Sequence, residues 1–181
     1  MLSNIKNLSL TKKLAYKIVF FIFCLIPFFS GLDSIPPLDR DESRFVQSTY
    51  QMIETNDYIN IKFLDEIRAK KPIGIYWAQS IFANIFGEDK ISSYRYASTL
   101  GALITILILW KFSQILYGQK ASLFVVCACM MSLLFIFESH VAKTDTLLLS
   151  IITLQQFLLL NLILNKKTSI LSNLIIPISC L

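Results

Sequence analysis

Charged residues are scarce in this chain of 181 residues: Asp, Glu, Lys and Arg make up 16% of it, whereas hydrophobic residues make up 55%. This balance, with a mean hydropathy of +0.60, lies outside the range of soluble globular domains. Glycine and proline are also sparse, at five residues each, and no tract is of low complexity, which excludes collagen-like, mucin-like and disordered chains. The composition predicts an integral membrane protein.

Two further classes of protein are excluded by what the sequence lacks. The cysteines have no spacing typical of a metal or redox site; they are Cys24, Cys127, Cys129 and Cys180. We expect free thiols embedded in the membrane, and neither a disulfide framework nor a zinc ribbon. The net charge is +5, yet the basic residues are scattered between apolar runs and form no dense patch, which argues against nucleic-acid binding.

Apolar runs recur along the chain, and they predict its membrane spans. The runs cover residues 14–32, 96–116, 121–137, 146–164 and 169–181. Lysines precede the first run as in a signal peptide, but no cleavage site follows, so we favour a retained anchor. The last run is shorter than the roughly 20 residues that cross a bilayer. We therefore expect an N-terminal part of a larger architecture, or a truncated product.

The charges near these runs predict an orientation. Basic residues flank the runs on one side: Lys6, Lys12, Lys13, Lys17, Lys111, Lys120, Lys166 and Lys167. That side should be the cytoplasm, which places the N-terminus there. The opposite side receives residues 31–95 and 138–145, and these hold all twelve carboxylates. Insertion does not require this segregation, so it indicates carboxylate chemistry on the outer face.

Residues 31–95 are polar but patterned as helices, so we expect a folded cap on the membrane and not a linker. Two helices should begin near Asp39 and Pro72. They should pack against the spans through Phe45, Met52, Ile75 and Ile81. Such a cap could hold side chains in place for chemistry.

The first polar cluster of this cap is acidic. Asp39 can cap a helix whose third residue is Glu42, as in a capping box. The apolar face of that helix would be formed by Phe45, Thr49, Met52 and Ile53. Asp41 and Arg44 are three residues apart on one helix face, which places a carboxylate beside a cation. The alternative is that acidic residues at a helix start stabilise only its dipole, by ~0.3–1 kcal/mol.

The second cluster is basic and aromatic. Lys70 and Lys71 directly precede Pro72, which suits the first position of a helix. Because unpaired N–H groups at a helix start attract anions, these lysines, followed by Tyr76 and Trp77, would suit a lipid head group that carries a phosphate. An interfacial helix with an ordinary aromatic belt explains the same residues equally well.

The third cluster is the short turn of residues 138–145 between two spans. Ionisable residues close to a membrane often mark function, although a short turn must be polar in any case. His140 and Asp145 could bind a divalent metal, but two candidate ligands make no site. Ordinary turn chemistry is the other interpretation of His140.

These three clusters, in this order between these spans, resemble the polyprenyl-phosphate-sugar-dependent glycosyltransferases of the GT-C superfamily. The most similar group is the protein mannosyltransferase and lipid A aminoarabinose transferase family. The resemblance covers about residues 14–165 and rests on Asp41, Glu42 and Arg44, on Lys71–Pro72 leading to Tyr76–Trp77, and on Asp145. Many relatives have Glu where this chain has Lys70, so a metal or acceptor contact through that Glu is not carried over.

The resemblance implies an all-α polytopic membrane protein with a truncated GT-C fold: about four to five transmembrane helices, and interfacial helices in the first outer loop. It implies transfer of a sugar from a polyprenyl-phosphate donor to a lipid, glycan or protein acceptor on the outer face of the cytoplasmic (inner) membrane, with no nucleotide sugar. Such a displacement needs a base and a stabiliser for the leaving phosphate. We assign the role of base to Asp41, while Glu42 would orient the acceptor or cap the helix. Arg44 and Lys71 would neutralise the phosphate, with Lys70 in reserve. Tyr76 and Asp145 would make further substrate contacts.

Other function classes remain as alternatives. The chain could be a non-catalytic membrane subunit, a transporter segment or a degenerate fragment, or an enzyme completed by a second polypeptide. Transporters often place ionisable groups near the bilayer midplane, whereas the predicted spans here are almost free of charge inside. This contrast favours chemistry at the outer surface. No cofactor is certain, and a divalent metal stays open.

Overall fold

A computed structural model describes residue 22 and residues 25–68 and 71–165 of the chain. Several sequence predictions lie outside these residues: most of the first span at 14–32, the last run at 169–181, Lys70, Cys24 and Cys180. The chain divides into two units, residues 1–30 and residues 31–181. In the first unit, residues 25–29 are helical. All that follows concerns the second unit.

Helices dominate the described residues of the second unit. Its elements are α1 (Arg40–Thr55), β1 (Lys62–Phe63), β2 (Glu66–Ile67), α2 (Gly74–Phe86), α3 (Ile91–Met131), α4 (Leu133–Ser139) and α5 (Asp145–Asn165). The two strands form a small antiparallel hairpin in which Lys62 lies opposite Ile67. The sequence patterning did not predict this hairpin, but the helical fold class is confirmed.

Helix α1 begins where the sequence predicts. Asp39 is its N-cap, in an extended conformation with φ −132° and ψ 148°, and a carboxylate oxygen of Asp39 accepts a hydrogen bond from the Asp41 amide at 3.4 Å. The helix ends at Asn56, which adopts the left-handed conformation that stops a helix. The predicted apolar face is buried: Phe45, Thr49, Met52 and Ile53 are all at most 8% exposed.

Helix α2 begins at Gly74, two positions after the predicted Pro72, and no side chain caps it. Its buried face is formed by Ile75, Tyr76, Gln79, Ser80 and Ala83. The prediction that Ile81 packs inward is wrong, because Ile81 is 59% exposed. Apolar residues lie on every side of this helix, so the hydrophobic pattern does not determine which side faces the core.

Helix α3 is interrupted at Gly118, where φ is 81° and ψ is 179°. Glycine suits this backbone conformation because it has no Cβ. The interruption lies between the predicted spans 96–116 and 121–137. A second departure occurs at Ser132, whose extended backbone separates α3 from α4. The predicted span 121–137 therefore contains the boundary between two helices. The Ser132 hydroxyl instead caps α4 by accepting from the Phe135 amide.

Two helices in the described part of the chain are long and apolar enough to cross a membrane, Ile91–Met131 and Asp145–Leu164. They pack together at Gly101, where a Cβ would lie 2.8 Å from the backbone N of Leu147 and 2.8 Å from the carbonyl carbon of Thr146. Close approach of helix backbones at small residues is typical of membrane bundles. Gly101 therefore holds the start of α5 against α3, beside the outer loop.

Candidate functional site

The site is built around a buried ion pair between Glu42 of α1 and Arg95 of α3. The Arg95 Nε donates to Glu42 Oε1 at 2.8 Å, and Arg95 Nη2 donates to Glu42 Oε2 at 3.2 Å. Both side chains are almost inaccessible, at 1% and 0% exposed. Two parallel N–H···O bonds of this kind fix the orientation of the two side chains and strengthen their interaction. The pair therefore joins the third residue of α1 to the first turns of α3.

Arg95 also holds the segment that leads into α1. Its Nη1 donates to the carbonyl oxygens of Leu32 and Ile35, each at 2.7 Å, and its Nη2 donates to the carbonyl of Pro36 at 3.2 Å. These bonds direct the guanidinium donors at three backbone oxygens of one short segment. Arg95 thus organises the entry to the outer loop, a role that the sequence patterning did not reveal.

Glu42 connects the outer loop to the turn between α4 and α5. Its Oε1 accepts from the Ala142 amide at 3.0 Å, and its Oε2 accepts from the Leu38 amide at 2.9 Å. In a capping box the third helical residue bonds the amide of the cap itself, whereas Glu42 bonds the amide one residue earlier. Because both oxygens are occupied and buried, the structure places Glu42 in the scaffold beneath the surface.

A second link joins the same two segments. The Lys143 ammonium in the turn forms an ion pair with Asp39, the N-cap of α1. The hydrogen bond from Lys143 is the main cause that lowers the pKa of Asp39 below its ordinary value, and the same bond raises the pKa of Lys143. The Lys143 carbonyl in turn accepts from the Ser98 hydroxyl of α3 at 3.1 Å. The turn, α1 and α3 therefore meet at one end of the helices.

Asp41 and Arg44 lie on the exposed side of this scaffold. Arg44 Nη1 donates to Asp41 Oδ1 at 3.4 Å, and the two side chains are 31% and 52% exposed for Arg44 and Asp41 respectively. Asp41 therefore presents a solvent-accessible carboxylate beside a cation, next in sequence to the buried anchor Glu42. This is the pairing that the spacing of three residues predicts.

The basic and aromatic cluster is divided by the fold. Lys71 is exposed, whereas Tyr76 is fully buried and packs on Phe45 with ring centroids 5.4 Å apart. The Tyr76 hydroxyl accepts from Arg68 Nε at 3.0 Å. Burial raises the pKa of Tyr76, and the bond from Arg68 offsets part of that shift. Trp77 is 46% exposed. Tyr76 thus lies in the core of the outer loop and not on its surface.

Arg68 belongs to the basic cluster in the sequence, but the pattern assigned it no role. Its guanidinium carbon lies 5.3 Å from the ring centroid of Phe45 and 5.8 Å from that of Phe63. These distances are within the range of cation–π attraction. Arg68 therefore ties the hairpin to the aromatic pair of Phe45 and Tyr76, and sequence spacing alone carries no signal for this contact.

In the third cluster, Asp145 is the exposed first residue of α5 and accepts from the Thr144 hydroxyl at 3.3 Å. The His140 Nδ1 lies 2.8 Å from the Ile136 carbonyl oxygen. Across the described residues, no group of three or more His, Cys, Asp or Glu side chains could hold a metal ion. Metal binding by His140 and Asp145 stays a prediction.

Comparison with known proteins identifies the family. The family model described as dolichyl-phosphate-mannose-protein mannosyltransferase matches residues 70–178, which is more than half of the chain. The chain belongs to this mannosyltransferase family. The resemblance inferred from the sequence motifs is therefore confirmed.

Curated relatives of this family member share part of its sequence. The undecaprenyl phosphate-alpha-4-amino-4-deoxy-L-arabinose arabinosyl transferase of Aeromonas hydrophila is 29% identical over 125 residues, 69% of this chain and 22% of the relative. The protein of the same name from Aeromonas salmonicida is 31% identical over the same shares of the two chains. The chain thus spans about a fifth of the length of these relatives.

Solved structures show the fold of this family member. ArnT from Cupriavidus metallidurans bound to undecaprenyl phosphate matches with a TM-score of 0.76 and 20% identity, over 81% of this chain and 27% of that one. The apo form matches with a TM-score of 0.77 and 19% identity, over 82% of this chain and 28% of that one. The described helices therefore form part of a GT-C transmembrane fold.

Proposed function

We propose that this chain forms the outer-face, acid–base part of a glycosyltransferase that moves a sugar from a polyprenyl-phosphate donor to a lipid, glycan or protein acceptor. The observation that carries the proposal is the exposed carboxylate of Asp41 beside Arg44, held next to the buried Glu42–Arg95 pair. Family membership supports the reaction class. The names of the relatives support an undecaprenyl-phosphate donor.

The proposed reaction is a single displacement at the sugar carbon. A hydroxyl oxygen of the acceptor forms a bond to that carbon, the bond from the carbon to the donor phosphate breaks, and the configuration inverts. The Asp41 carboxylate accepts the proton of the attacking hydroxyl, as a general base does. The electron pair of the broken bond leaves on the phosphate, where Arg44 and Lys71, with Lys70, neutralise the charge.

The other sequence-derived candidates receive different roles in this proposal. Glu42 is a positioning residue, because its two oxygens already accept four hydrogen bonds within the protein. Tyr76 is also a positioning residue, since it is buried beneath the outer surface. Asp145 is exposed at the start of α5 and is available for a substrate contact.

We also propose that the site faces away from the cytoplasm, with the N-terminus inside and the chain in the cytoplasmic (inner) membrane. The distribution of lysines near the spans supports this orientation. A cysteine introduced at Asp145 should react with a membrane-impermeant maleimide added outside spheroplasts, and reaction only after lysis would oppose the proposal. The chain spans about a fifth of the length of its relatives, and we propose that activity also uses other parts of that architecture, in the same or in a second polypeptide.

Turnover by the Asp41→Asn variant of the full-length or complemented protein tests the proposed role. Asp41→Asn should lower the rate of sugar transfer from an undecaprenyl-phosphate donor by a factor of about 10²–10⁴, the usual contribution of a general base. The matched control is Asp65→Asn, which removes another exposed carboxylate of the same loop and should leave the rate unchanged. Normal turnover of Asp41→Asn would leave stabilisation of the helix dipole as the explanation of Asp41.

A further inference from the structure

Arg68, between the hairpin and α2, is held in place by three aromatic residues. Its Nε donates to the Tyr76 hydroxyl at 3.0 Å, and its guanidinium carbon lies 5.3 Å from the ring centroid of Phe45 and 5.8 Å from that of Phe63. Tyr76 and Phe45 are buried, at 0% and 2% exposed. A guanidinium positioned in this way loses little further freedom when it binds a ligand.

The terminal nitrogens of this guanidinium have no partner within the described part of the chain. Nη1 and Nη2 make no hydrogen bond or ion pair there, although the side chain of Arg68 is partly exposed. The exposed Glu66, two residues earlier, is not paired with it. By contrast, all three nitrogens of Arg95 donate to protein oxygens. Arg68 therefore presents two positioned donor groups and an unpaired positive charge.

A second cation lies close by in the chain. Lys71 is exposed, and the ion pairs among the described residues do not include it. It follows Arg68 by three residues, so the two Cα atoms are at most about 11 Å apart, and two long side chains can reach one group between them. Together they supply two positive charges. A carboxylate or a phosphodiester carries one negative charge, whereas a phosphate monoester carries about −1.5 to −2 at pH 7.

We propose that Arg68 binds the phosphate monoester of a lipid, with Nη1 and Nη2 donating to two of its oxygen atoms and Lys71 as the second cation. Arginine suits this role because its planar fork matches two phosphate oxygens at once. The aromatic contacts hold the guanidinium in one orientation. The site should therefore distinguish a monoester from a diester, which has one ionisable oxygen fewer.

Two lipids carry such a group. One is the polyprenyl phosphate released by sugar transfer, and this source rests on the proposed function. The donor is a phosphodiester; when the bond from the sugar carbon to the phosphate oxygen breaks, its electron pair stays on that oxygen, and the phosphate becomes a monoester with one more negative charge. Arg68 would then stabilise charge that develops in the transition state. The other source is phosphatidic acid of the bilayer, which is independent of any transfer reaction.

Binding can be measured by native mass spectrometry of the chain in phosphatidylcholine nanodiscs. The probes form two pairs of monoester and diester: undecaprenyl phosphate with its methyl ester, and phosphatidic acid with its methyl ester. At least one monoester should bind about tenfold more tightly than its methyl ester. Arg68→Lys, which keeps the charge and loses the fork, should reduce this preference to about threefold or less. The control is Lys62→Ala, an exposed lysine of the hairpin, which should preserve it.

Tyr76→Phe tests the positioning of Arg68 separately. This variant keeps the buried ring and removes the hydroxyl that holds Nε. It should lower the preference for the monoester by about two- to threefold, the contribution of one hydrogen bond, and leave binding of the methyl esters unchanged. A purely structural role of the hydroxyl would change the unfolding temperature and leave the ratio of monoester to diester binding as in the wild type.

Each result bears on the proposal. A preference for either monoester that is lost in Arg68→Lys, at the unfolding temperature of the wild type, supports the site and identifies the source; a preference that survives overturns it. Should Arg68→Lys unfold at a lower temperature, the ratio measured in Tyr76→Phe decides in the same way. Equal binding of both monoesters and their methyl esters by the wild type overturns the role of Arg68 and leaves the proposed function standing. A preference for phosphatidic acid with no binding of either undecaprenyl lipid supports the Arg68 site and opposes the proposed function.

Discussion

Replacement of Arg95 by methionine should destabilise the fold more than loss of any exposed charge in the outer loop. Methionine retains much of the aliphatic volume but removes the guanidinium. The Glu42 carboxylate would then keep only the amides of Leu38 and Ala142 as donors. The carbonyl oxygens of Leu32, Ile35 and Pro36 would lose the donors that Arg95 supplies.

The magnitude follows from the burial of the pair. Removal of one partner from a buried ion pair costs ~3–5 kcal/mol, because the remaining charge stays buried without compensation. The matched control is Arg44→Met on the exposed pair with Asp41, which should cost ~0–1 kcal/mol. Combining Glu42→Leu with Arg95→Met should restore part of the loss, since no buried charge would remain.

The assay is equilibrium unfolding in mixed detergent micelles, followed by tryptophan fluorescence. Trp77 lies in α2 and Trp110 in α3, so the fluorescence reports unfolding of both the outer loop and a long apolar helix. We expect Arg95→Met to lower the free energy of unfolding by at least about 2 kcal/mol more than Arg44→Met does. This is the difference between the smallest cost expected for the buried pair, ~3 kcal/mol, and the largest expected for the exposed pair, ~1 kcal/mol. Equal effects of the two variants would refute the structural role assigned to the buried pair.

Two further predictions concern the contacts that hold the turn and the helices together. Gly101→Ala should destabilise the chain by ~1–3 kcal/mol, because the added Cβ would overlap the backbone at Leu147. The control is Gly74→Ala, where an added Cβ would have no atom within 4 Å. Thermal unfolding of both variants measures the difference. The stability that Asp39 gains from Lys143, measured against Asp39→Asn, should be present at neutral pH and fall as the pH drops through the lowered pKa of Asp39, below 3.8. It should also fall at alkaline pH, above 10.5, where Lys143 loses its proton. A difference between Asp39→Asn and the wild type that persists unchanged from pH 7 to pH 2 would contradict the ion-pair explanation.

Local sequence patterns predicted much of the first helix of the outer loop. A capping residue, a first-turn carboxylate and apolar residues at helical spacing act within a few residues of one another, so Asp39, Asp41 and Arg44 could be placed from the sequence. The gap between the predicted spans 96–116 and 121–137 also contains Gly118, where α3 is interrupted. These features depend on interactions along the chain.

The features that the sequence did not reveal depend on contacts between distant segments. Glu42 and Arg95 are 53 residues apart, and nothing in the local pattern around Glu42 distinguishes a buried anchor from a residue that orients the acceptor. The one signal in the sequence was Arg95, a single arginine at the edge of the apolar run 96–116. Ionisable residues at such positions usually have a structural or functional role. For Ile81, the buried face of α2 includes the polar residues Gln79 and Ser80, so hydrophobic periodicity did not show which face is buried.

Binding of undecaprenyl phosphate is the measurement that tests the central claim most directly. In nanodiscs that hold the full-length protein, Lys71→Ala should weaken binding by ~1.5–3 kcal/mol, the contribution of a charge-assisted hydrogen bond. Asp41→Asn should bind as tightly as the wild type, because it removes the base and leaves the cations. The control is Lys62→Ala, an exposed lysine of the hairpin, which should bind normally. Unchanged binding by Lys71→Ala, or an equal loss in Lys71→Ala and Asp41→Asn, would contradict the division of the site into a carboxylate base and a cationic phosphate-binding cluster.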